Sequence, residues 1–346
     1  MGSPRNRGNN MNNGTIEVYV LIGTPGAGKT DLVEDRFEQV LSQELDNTYV
    51  LHISAEETIK NLGGELDETN GAVSNSMYKQ LDEALIFAEQ VQYDQNATTE
   101  IYYDARNLSR RKRRALYRHV KEVNPEALVI GAVVCVSLLE AMARNTEREE
   151  EYQVSEETIR DLYTELQIPR LGADCDIMSV TGEPMFEYEI KELTCQGVLD
   201  AAYKDYKAEL NVFQDHGCSP HHTEPINEHI ENAVKLAKTL RTKHVALFHD
   251  LGKPICRRED ETGYATYRNH ANVGAYYLLN YMYSLRLLYK TTTLTTEDAE
   301  IIHNHMNAHQ GLGERNIKNN NLLPLIDRIY AFAEIDKKAA RPKVGD

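Results

Sequence analysis

Short hydrophobic runs and longer amphipathic stretches alternate along the first half of the chain. Near-continuous apolar strands separated by helices indicate a parallel sheet that is covered on both faces. The helical stretches between the runs include Lys29–Leu45, Arg110–Val120 and Ser155–Leu166. The predicted strands are Ile16–Ile22, Tyr49–Ser54, Glu100–Asp104, Leu128–Val136 and a weaker Asp176–Val180.

The pattern changes after about residue 190, where strand signals vanish and helical periodicity dominates. Ten of the 12 histidines lie after residue 215, so composition and periodicity change together. A change this sharp indicates a domain boundary near residues 181–195. The predicted helices of the second half are Gln196–Phe213, Glu224–Leu240, Val273–Tyr289, Glu297–His309 and Leu322–Lys338.

A chain of 346 residues is long enough for about two domains. We predict an α/β domain with a parallel sheet over residues 15–185 and an all-α helical bundle over residues 214–346. Residues 186–213 are predicted as a connecting helix. The polar, Asn- and Gly-rich residues 1–14 are predicted as a disordered segment.

Charge and cysteine content narrow the classes of function. Lys and Arg total 38 against 54 Asp and Glu, a net charge of −16, which argues against nonspecific coating of nucleic acid but leaves room for a basic groove. The five cysteines are scattered without a CxxC pair, which fits a reducing compartment. The longest apolar run, residues 127–139, is too short to span a bilayer, and no apolar signal-peptide core is present. We therefore expect a cytoplasmic protein without membrane contact.

The segment between the first strand and the first helix has the spacing GxxxxGK[ST], which predicts a P-loop NTPase-like sheet. Its glycines let backbone N–H groups surround phosphate oxygens at a helix N-terminus. Lys29 would reach the β- and γ-phosphates of ATP, and the Thr30 hydroxyl would ligate Mg²⁺. The predicted nucleotide-binding residues are Gly23, Thr24, Pro25, Gly26, Ala27, Gly28, Lys29 and Thr30.

A carboxylate, Glu56, lies just beyond the second strand, where side chains face the nucleotide crevice of an α/β fold. It could orient or deprotonate an acceptor hydroxyl. Ser54 and Glu57 have the spacing of a capping box, so a role in starting the next helix is the alternative, and the two roles are compatible.

Polar and basic residues follow the third strand. Asp104, Arg106 and Asn107 come at its end, and residues 109–114 include the most basic stretch of an acidic protein. A strand-end carboxylate followed by arginines could bind the phosphate backbone of an acceptor, and we assign Arg110 and Arg113 to that role. The alternative for these arginines is a solvated helix face.

Two further arginines, Arg144 and Arg148, lie four residues apart after the fourth strand and share one helix face. They could close over the phosphates as a lid and stabilise charge on the transferred phosphoryl group. Surface ion pairs with Glu147, Glu149 or Glu150 are the alternative.

The order of these motifs over residues 15–180 resembles a P-loop polynucleotide 5′-hydroxyl kinase, of the type found in phage and bacterial polynucleotide kinase-phosphatases. The P-loop, ISAEE at 53–57, DARN at 104–107 and RNTER at 144–148 carry the resemblance. It implies transfer from ATP and Mg²⁺ with four catalytic residues. These are Lys29, Glu56, Arg144 and Arg148.

Three positions depart from the family pattern. Glu56 stands where the family has its general-base Asp, and Ile59 stands where it has an Arg that holds a substrate phosphate. Arg106 replaces a Thr. Sugar and antibiotic kinases and zeta-type toxins share much of the same plan, so they remain alternatives to a polynucleotide kinase.

Histidines and carboxylates carry the chemistry of the second half. Imidazole and carboxylate ligands together suit a transition metal or Mg²⁺ that activates water. The segments PHHT at 220–223, EH at 228–229, FHDLGKP at 248–254 and NHANVGA at 269–275 resemble the HD phosphohydrolase superfamily, and especially the HD domains attached to tRNA nucleotidyltransferases. The resemblance implies an HD-domain helical bundle with a divalent metal such as Mn²⁺, Ni²⁺ or Co²⁺. The implied ligands are His229, His249, Asp250 and Asp336, with His270 and His305 at positions for a second metal or a substrate phosphate.

Some assignments in this half have alternatives. Asp327 lies nine residues before Asp336 on the same predicted helix and could be the last ligand instead. Lys253 could contact phosphate or cap the end of its helix. Asp250 is also assigned a catalytic role. Further pocket candidates are His221, His222 and Tyr267.

Three hypotheses follow for the whole chain. The first is a bifunctional enzyme that heals nucleic-acid ends, RNA rather than DNA, with a separate ligase as a candidate partner. The second is a small-molecule or nucleotide kinase fused to an HD nucleotide phosphohydrolase. The third is a sensor that binds ATP without transferring phosphate, because of the substitutions at Glu56 and Ile59.

Overall fold

Strands of the first half form one five-stranded parallel sheet in the order β2-β3-β1-β4-β5. The computed structural model describes residues 14–42, 47–64, 67–185, 224–290 and 294–340. The interior strand β4 is buried along all but its first residue, as expected for a sheet that is covered on both faces. The strands are β1 (Ile16–Ile22), β2 (Thr48–Ser54), β3 (Thr98–Asp104), β4 (Leu128–Cys135) and β5 (Ile177–Gly182).

Helices connect these strands, and the α/β class predicted for this half is confirmed. The 25-residue helix α3 was not among the predicted elements. Its buried positions recur at intervals of three and four residues, so its periodicity contained the signal. The helices are α1 (Lys29–Leu41), α2 (Ala55–Asn61), α3 (Gly71–Gln95), α4 (Arg110–Val123), α5 (Leu138–Glu147) and α6 (Glu156–Glu165).

The described residues of the second half form a helical bundle, which confirms the predicted all-α class. Two strands of two residues, β6 (Arg258–Glu259) and β7 (Ala265–Thr266), pair as a small hairpin, so the prediction that strands vanish is wrong there. Elements this short leave no readable alternation. The helices are α7 (Ile226–Leu236), α8 (Leu240–Phe248), α9 (Lys253–Cys256), α10 (His270–Tyr289), α11 (Thr296–His309), α12 (Glu314–Asn319) and α13 (Ile326–Ala339).

The helix predicted over residues 224–240 is shorter in the structure, and helix α8, which follows it, was not among the predicted elements. Helix α7 ends at Leu236, and the Thr239 side chain accepts a hydrogen bond from the Thr242 backbone N–H to start α8. This N-cap satisfies a donor at the new helix end and lets the chain change direction. The predicted helix Gln196–Phe213 and the segment 186–213 lie outside the described residues.

A shared hydrophobic core joins the two halves. The Tyr276 hydroxyl, on α10, accepts from the Val136 backbone N–H at 2.8 Å and donates to the Val136 carbonyl at 3.0 Å. Its ring packs edge-on against Tyr163 of α6, with centroids 5.4 Å apart. One continuous cluster of buried side chains runs from β4 and α6 into α10, α11 and α13. The two halves are therefore docked rather than merely tethered.

In the described part of the chain, no helix combines the length and the hydropathy that crossing a bilayer requires.

Candidate functional sites

The P-loop lies at the carboxyl end of β1, in the middle of the sheet. Gly26 and Gly28 have φ angles of +75° and +85°, which side chains with a Cβ rarely adopt. A Cβ on Gly26 would lie 2.4 Å from the Ala141 carbonyl oxygen, so this close approach also requires glycine. The Gly23 N–H donates to the Arg106 carbonyl at 3.3 Å and ties the loop to the end of β3.

The side chains of Thr30, Asp104 and His52 meet at the start of α1. The Thr30 hydroxyl donates to Asp104 Oδ2 at 3.0 Å, and His52 Nε2 lies 3.3 Å from the same oxygen. Lys29 Nζ donates to the Thr24 carbonyl at 3.1 Å. Burial raises the pKa of Asp104, but the hydrogen bond with His52 and the charge of Lys29 outweigh it and hold the pKa below its usual range. An ionised carboxylate beside a hydroxyl suits Mg²⁺.

The predicted role of Asp104 changes with this placement. We expected it to bind an acceptor, whereas the structure sets it behind the P-loop against Thr30, with 6% of its surface exposed. His52 was not among the predicted site residues, although a polar residue two positions before the end of a parallel strand is a signal for a site at this edge.

The rim of the P-loop cavity brings the predicted base and lid together. Glu56 forms an ion pair with Arg148, and Arg144 pairs with Glu140 and Glu183. Glu56, Arg144, Arg148 and the loop line a cavity of about 470 Å³. Ser54 also caps α2 through the Glu57 N–H, so the capping role is present beside the exposed carboxylate of Glu56.

Arg106 and Asn107 have different roles in the structure. Arg106 faces the P-loop cavity and pairs with Glu68 at 2.6 Å. Asn107, at φ +48°, donates its amide hydrogens to the backbone carbonyls of Leu21, Tyr103 and Ala105, so it shapes the strand end. Because these backbone carbonyls occupy the Asn107 amide group, the structure does not support the predicted contact between Asn107 and an acceptor.

The predicted contacts of Arg110 and Arg113 with an acceptor are corrected by their burial. Arg110 is 3% exposed and forms a two-pronged ion pair with Glu300 of α11, at 2.6 and 2.7 Å. Arg113 is 1% exposed and pairs with Asp174 while donating to four backbone carbonyls. Both guanidinium groups are occupied by these protein partners, so the structure does not support their predicted contacts with an acceptor phosphate. Their helix therefore holds the fold together at these positions.

The second candidate site gathers all six predicted metal ligands in the helical half. They form two buried groups, one of His229, His249 and Asp336 and one of Asp250, His270 and His305. Within each group the candidate ligand atoms lie within 4.8 Å of one another. Asp250 joins the groups, because Oδ2 lies 3.3 Å from His249 Nε2 and Oδ1 lies 3.3 Å from His270 Nε2.

The imidazole rings are oriented for coordination. Nδ1 of His249, His270 and His305 each lies 2.7 Å from a backbone carbonyl three residues earlier. A carbonyl only accepts, so Nδ1 carries the hydrogen and the Nε2 lone pair is directed into the site. Such outer contacts set the tautomer of metal-binding histidines. The donor set fits a divalent metal.

The site also has a strong negative potential. Burial lowers the pKa of His249, but Asp250 and Asp336 outweigh burial and raise it to about 10. Burial, together with the neighbouring His270 and His249, lowers the pKa of His305 to about 3. Burial raises the pKa of Asp250, yet His249 and Lys253 bring it well below its usual range. The potential that favours a proton on His249 would equally favour a metal cation in its place.

The choice between Asp336 and Asp327 is settled by position. Asp336 Oδ1 lies 2.8 Å from His229 Nε2, whereas Asp327 is exposed on the first turn of α13. Two contributors escaped sequence reasoning. His309 lies 2.8 Å from Asp336 Oδ2, and Glu224 lies 3.2 Å from His229 Nδ1. The spacing of His309, four residues after His305 on one helix, was the available signal.

A cavity of about 970 Å³ opens onto these groups. Lys253 Nζ lies 2.7 Å from Asp250 Oδ2 and 5.8 Å from the ring centre of Tyr267, and both residues line the cavity. A cation at this place suits an anionic substrate. The candidates His221 and His222 lie outside the described residues.

Comparison with known families agrees with this division. A family model described as an AAA domain matches residues 18–169, and one described as an HD domain matches residues 221–332. The chain joins a P-loop kinase-like domain to an HD domain. No curated protein matches it. The kinase-like domain implies a nucleotide and Mg²⁺, and the HD domain implies a divalent metal for its His and Asp groups.

Proposed function

We propose that this chain heals nucleic-acid ends, phosphorylating 5′-hydroxyl ends from ATP and removing a 3′-phosphate or 2′,3′-cyclic phosphate at the HD site. One observation carries the proposal: a single chain holds a P-loop cavity faced by a carboxylate and two arginines, and a His/Asp cavity faced by a lysine. Many ribonucleases leave these ends, and a ligase needs the opposite polarity. RNA is the expected substrate, and a separate ligase is the expected partner. Substrate choice rests on fold-level analogy.

Residues of the kinase-like domain have distinct roles in this proposal. The P-loop amides and Lys29 bind the phosphates, and Thr30 with Asp104 would hold Mg²⁺, which neutralises charge on the phosphates. Glu56 accepts the proton of the attacking hydroxyl. Arg148, paired with Glu56, positions that carboxylate and, with Arg144, stabilises the transferred group.

The acceptor fits beside Arg106. A second cavity of about 290 Å³ shares Glu68, Ala105 and Arg106 with the P-loop cavity, and Tyr78 and Lys112 line its other side. An acceptor phosphate bound there would replace the Glu68 carboxylate as the ion-pair partner of the Arg106 guanidinium. Arg106, with Lys112 on the other side of the cavity, thus offers a cation to an acceptor in a chain that has Ile59 on α2.

In the HD domain, His229, His249 and Asp336 would hold one metal, and Asp250, His270 and His305 would hold a second. A metal in these groups supplies an activated water for attack on phosphorus. Lys253 binds a phosphate oxygen of the substrate and orients it. His309 positions the Asp336 carboxylate through its contact with Oδ2.

The decisive experiment uses a short RNA with a 5′-hydroxyl and a 2′,3′-cyclic phosphate, incubated with ATP, Mg²⁺ and Mn²⁺ or Ni²⁺, with both ends read by mass. We expect Lys29→Ala to lose only 5′ phosphorylation and Asp250→Asn to lose only 3′ healing. Asp327→Asn is the matched control, because Asp327 is an exposed Asp outside both metal groups. No change at either end, with ATP and metal bound, would refute the proposal.

The burial of Arg110 and Arg113 favours a second candidate function, because it removes two of the arginines expected to bind a polynucleotide. This candidate is a small-molecule or nucleotide kinase fused to an HD nucleotide phosphohydrolase. Phosphorylation of small hydroxylated acceptors by a protein that is inactive on RNA ends would support it.

A further inference from the structure

A polar cleft separates helix α4 from helices α11 and α12. We call it the interdomain groove and define it by Arg111, Arg114, Gln167, His303, Asn307 and Asn316. Its volume is about 370 Å³. Three arginines, five amide side chains, a serine and a histidine line it, and none of the lining residues is an Asp or Glu. In a chain with a net charge of −16, a lining without carboxylates is a local reversal of the overall field.

The groove is continuous with the HD cavity. Gln167, His303 and Asn307 line both spaces, so a ligand can extend from one into the other. The kinase-like domain contributes Gln167 and the arginines, and the HD domain contributes the histidine and the asparagines. The groove therefore exists only because the two domains are docked.

The arginines of the groove differ in whether a carboxylate neutralises their positive charge. The charge of Arg110 is neutralised by Glu300. Arg114 donates to the Asn320 amide oxygen at 2.7 Å, which carries no charge. Arg111 is exposed and has no ion pair or hydrogen bond among the described residues. Two guanidinium groups thus retain their positive charge for an anion.

An unsatisfied buried atom also lies at the junction. His303 Nδ1 is buried without a hydrogen-bond partner among the described residues. Such an atom is uncommon in folded proteins and is a candidate contact for a ligand or an ordered water. His303 lines both the groove and the HD cavity, so a ligand passing between them would contact this ring.

We propose that the interdomain groove binds the sugar–phosphate backbone of a single-stranded nucleic acid whose 3′ end lies in the HD cavity. Arginine and amide donors without carboxylates bind phosphate and ribose oxygens without reading base sequence. An acidic peptide would satisfy the arginines but would place no phosphate in the adjoining cavity. The proposal rests on the 3′-healing activity proposed above and identifies how that site distinguishes a strand from a nucleotide.

The test compares Arg111→Gln with Arg118→Gln. Both side chains are exposed on α4, but Arg118 is outside the groove lining. Binding of a fluorescent single-stranded RNA with a 3′-phosphate is measured by anisotropy over a range of salt. We expect Arg111→Gln to weaken binding by roughly tenfold at low salt and to reduce the slope of log affinity against log salt by about 1. Arg118→Gln should leave both quantities near wild type.

Turnover provides the second readout. The ratio of kcat/KM for this RNA to kcat/KM for a nucleoside 3′-phosphate should fall in Arg111→Gln and stay constant in Arg118→Gln. Equal losses in the two variants, or RNA binding that is insensitive to both, would overturn the groove. If wild type hydrolyses neither substrate, the 3′-healing function fails instead, and the anisotropy arm still decides whether the groove binds the strand.

Discussion

At the scale of single residues, Glu56 and Arg148 face each other across the P-loop cavity. Their ion pair lies on the wall of that cavity, and in the proposed function it supplies the base and a ligand for the transferred phosphate. Glutamate is one methylene longer than the aspartate of the kinases that the sequence resembles. Because Glu56 extends from the first turn of α2, this length lets it span the cavity to Arg148.

We predict that Glu56→Gln lowers kcat for 5′ phosphorylation by about 10²–10⁴-fold, because the amide cannot accept the acceptor's proton. ATP affinity should be unchanged, since the P-loop is untouched. The assays are steady-state kinetics and nucleotide-binding calorimetry. Glu57→Gln, an exposed neighbour on the same helix, is the control and should retain full activity. Retention of wild-type kcat in Glu56→Gln would remove Glu56 as the base.

The metal groups permit a second prediction at this scale. His270→Ala should lower the metal bound per chain, because it removes one of three ligands from its group. His249→Ala should also lower the metal content, because it removes a ligand from the group of His229, His249 and Asp336. Elemental analysis after dialysis measures the content, and His119→Ala, a histidine of the kinase-like domain, is the control. Unaltered metal content in both ligand variants would place the metal elsewhere.

At the scale of elements, helix α4 of the kinase-like domain forms polar contacts with the HD domain. Its first turn places Arg110 against Glu300 of α11, and its second turn places Arg114 against Asn320. α11 also carries His305 of the metal groups. The basic segment 109–114, predicted to bind substrate, thus has two roles. Arg110 holds the domains together, whereas Arg111 and Arg114 line the interdomain groove.

We expect Arg110→Ala to lower the free energy of unfolding by about 3–5 kcal/mol, because it leaves the Glu300 carboxylate buried without its partner. The double variant Arg110→Met/Glu300→Leu should cost much less than the sum of the single losses, since no charge is stranded. Urea unfolding of the full chain provides the measurement. Additive losses would show that the two side chains are not coupled.

At the scale of the whole molecule, a single core passes through both domains. The Tyr276 hydroxyl donates a hydrogen bond to the Val136 carbonyl, just after β4. On the same helix, the Asn280 side chain donates to the Glu183 carbonyl and accepts from the Met185 N–H. Contacts of this kind are buried and hydrogen-bonded, so opening the interface would expose both apolar surface and backbone groups.

A single calorimetric transition is therefore expected for the full chain. A nonhydrolysable ATP analogue with Mg²⁺ at about 100 times its Kd should stabilise the folded state by about 2.7 kcal/mol and move the entire transition upward. Two resolved transitions, of which only one responds to the analogue, would show that the domains unfold independently.

Much of the fold could be predicted from the sequence, because periodicity and turn chemistry are local. The strand Ile16–Ile22 has the predicted bounds, and the P-loop lies between it and α1. The order of HD motifs likewise predicted six candidate ligands, and the structure brings these side chains together. What local pattern missed was the long helix α3 and the separate helix α8, which begins after the capping residue Thr239.

The sequence by itself determined the two fold classes and the residue types of both sites, since hydrophobic period and motif spacing depend on neighbours along the chain. The tertiary structure decided which residues meet. It paired Glu56 with Arg148, brought Asp336 rather than Asp327 to the histidines, and buried Arg110 against Glu300. The last pair is 190 residues apart in sequence. Such distant contacts depend on how helices dock, and packing of the shared core sets that docking.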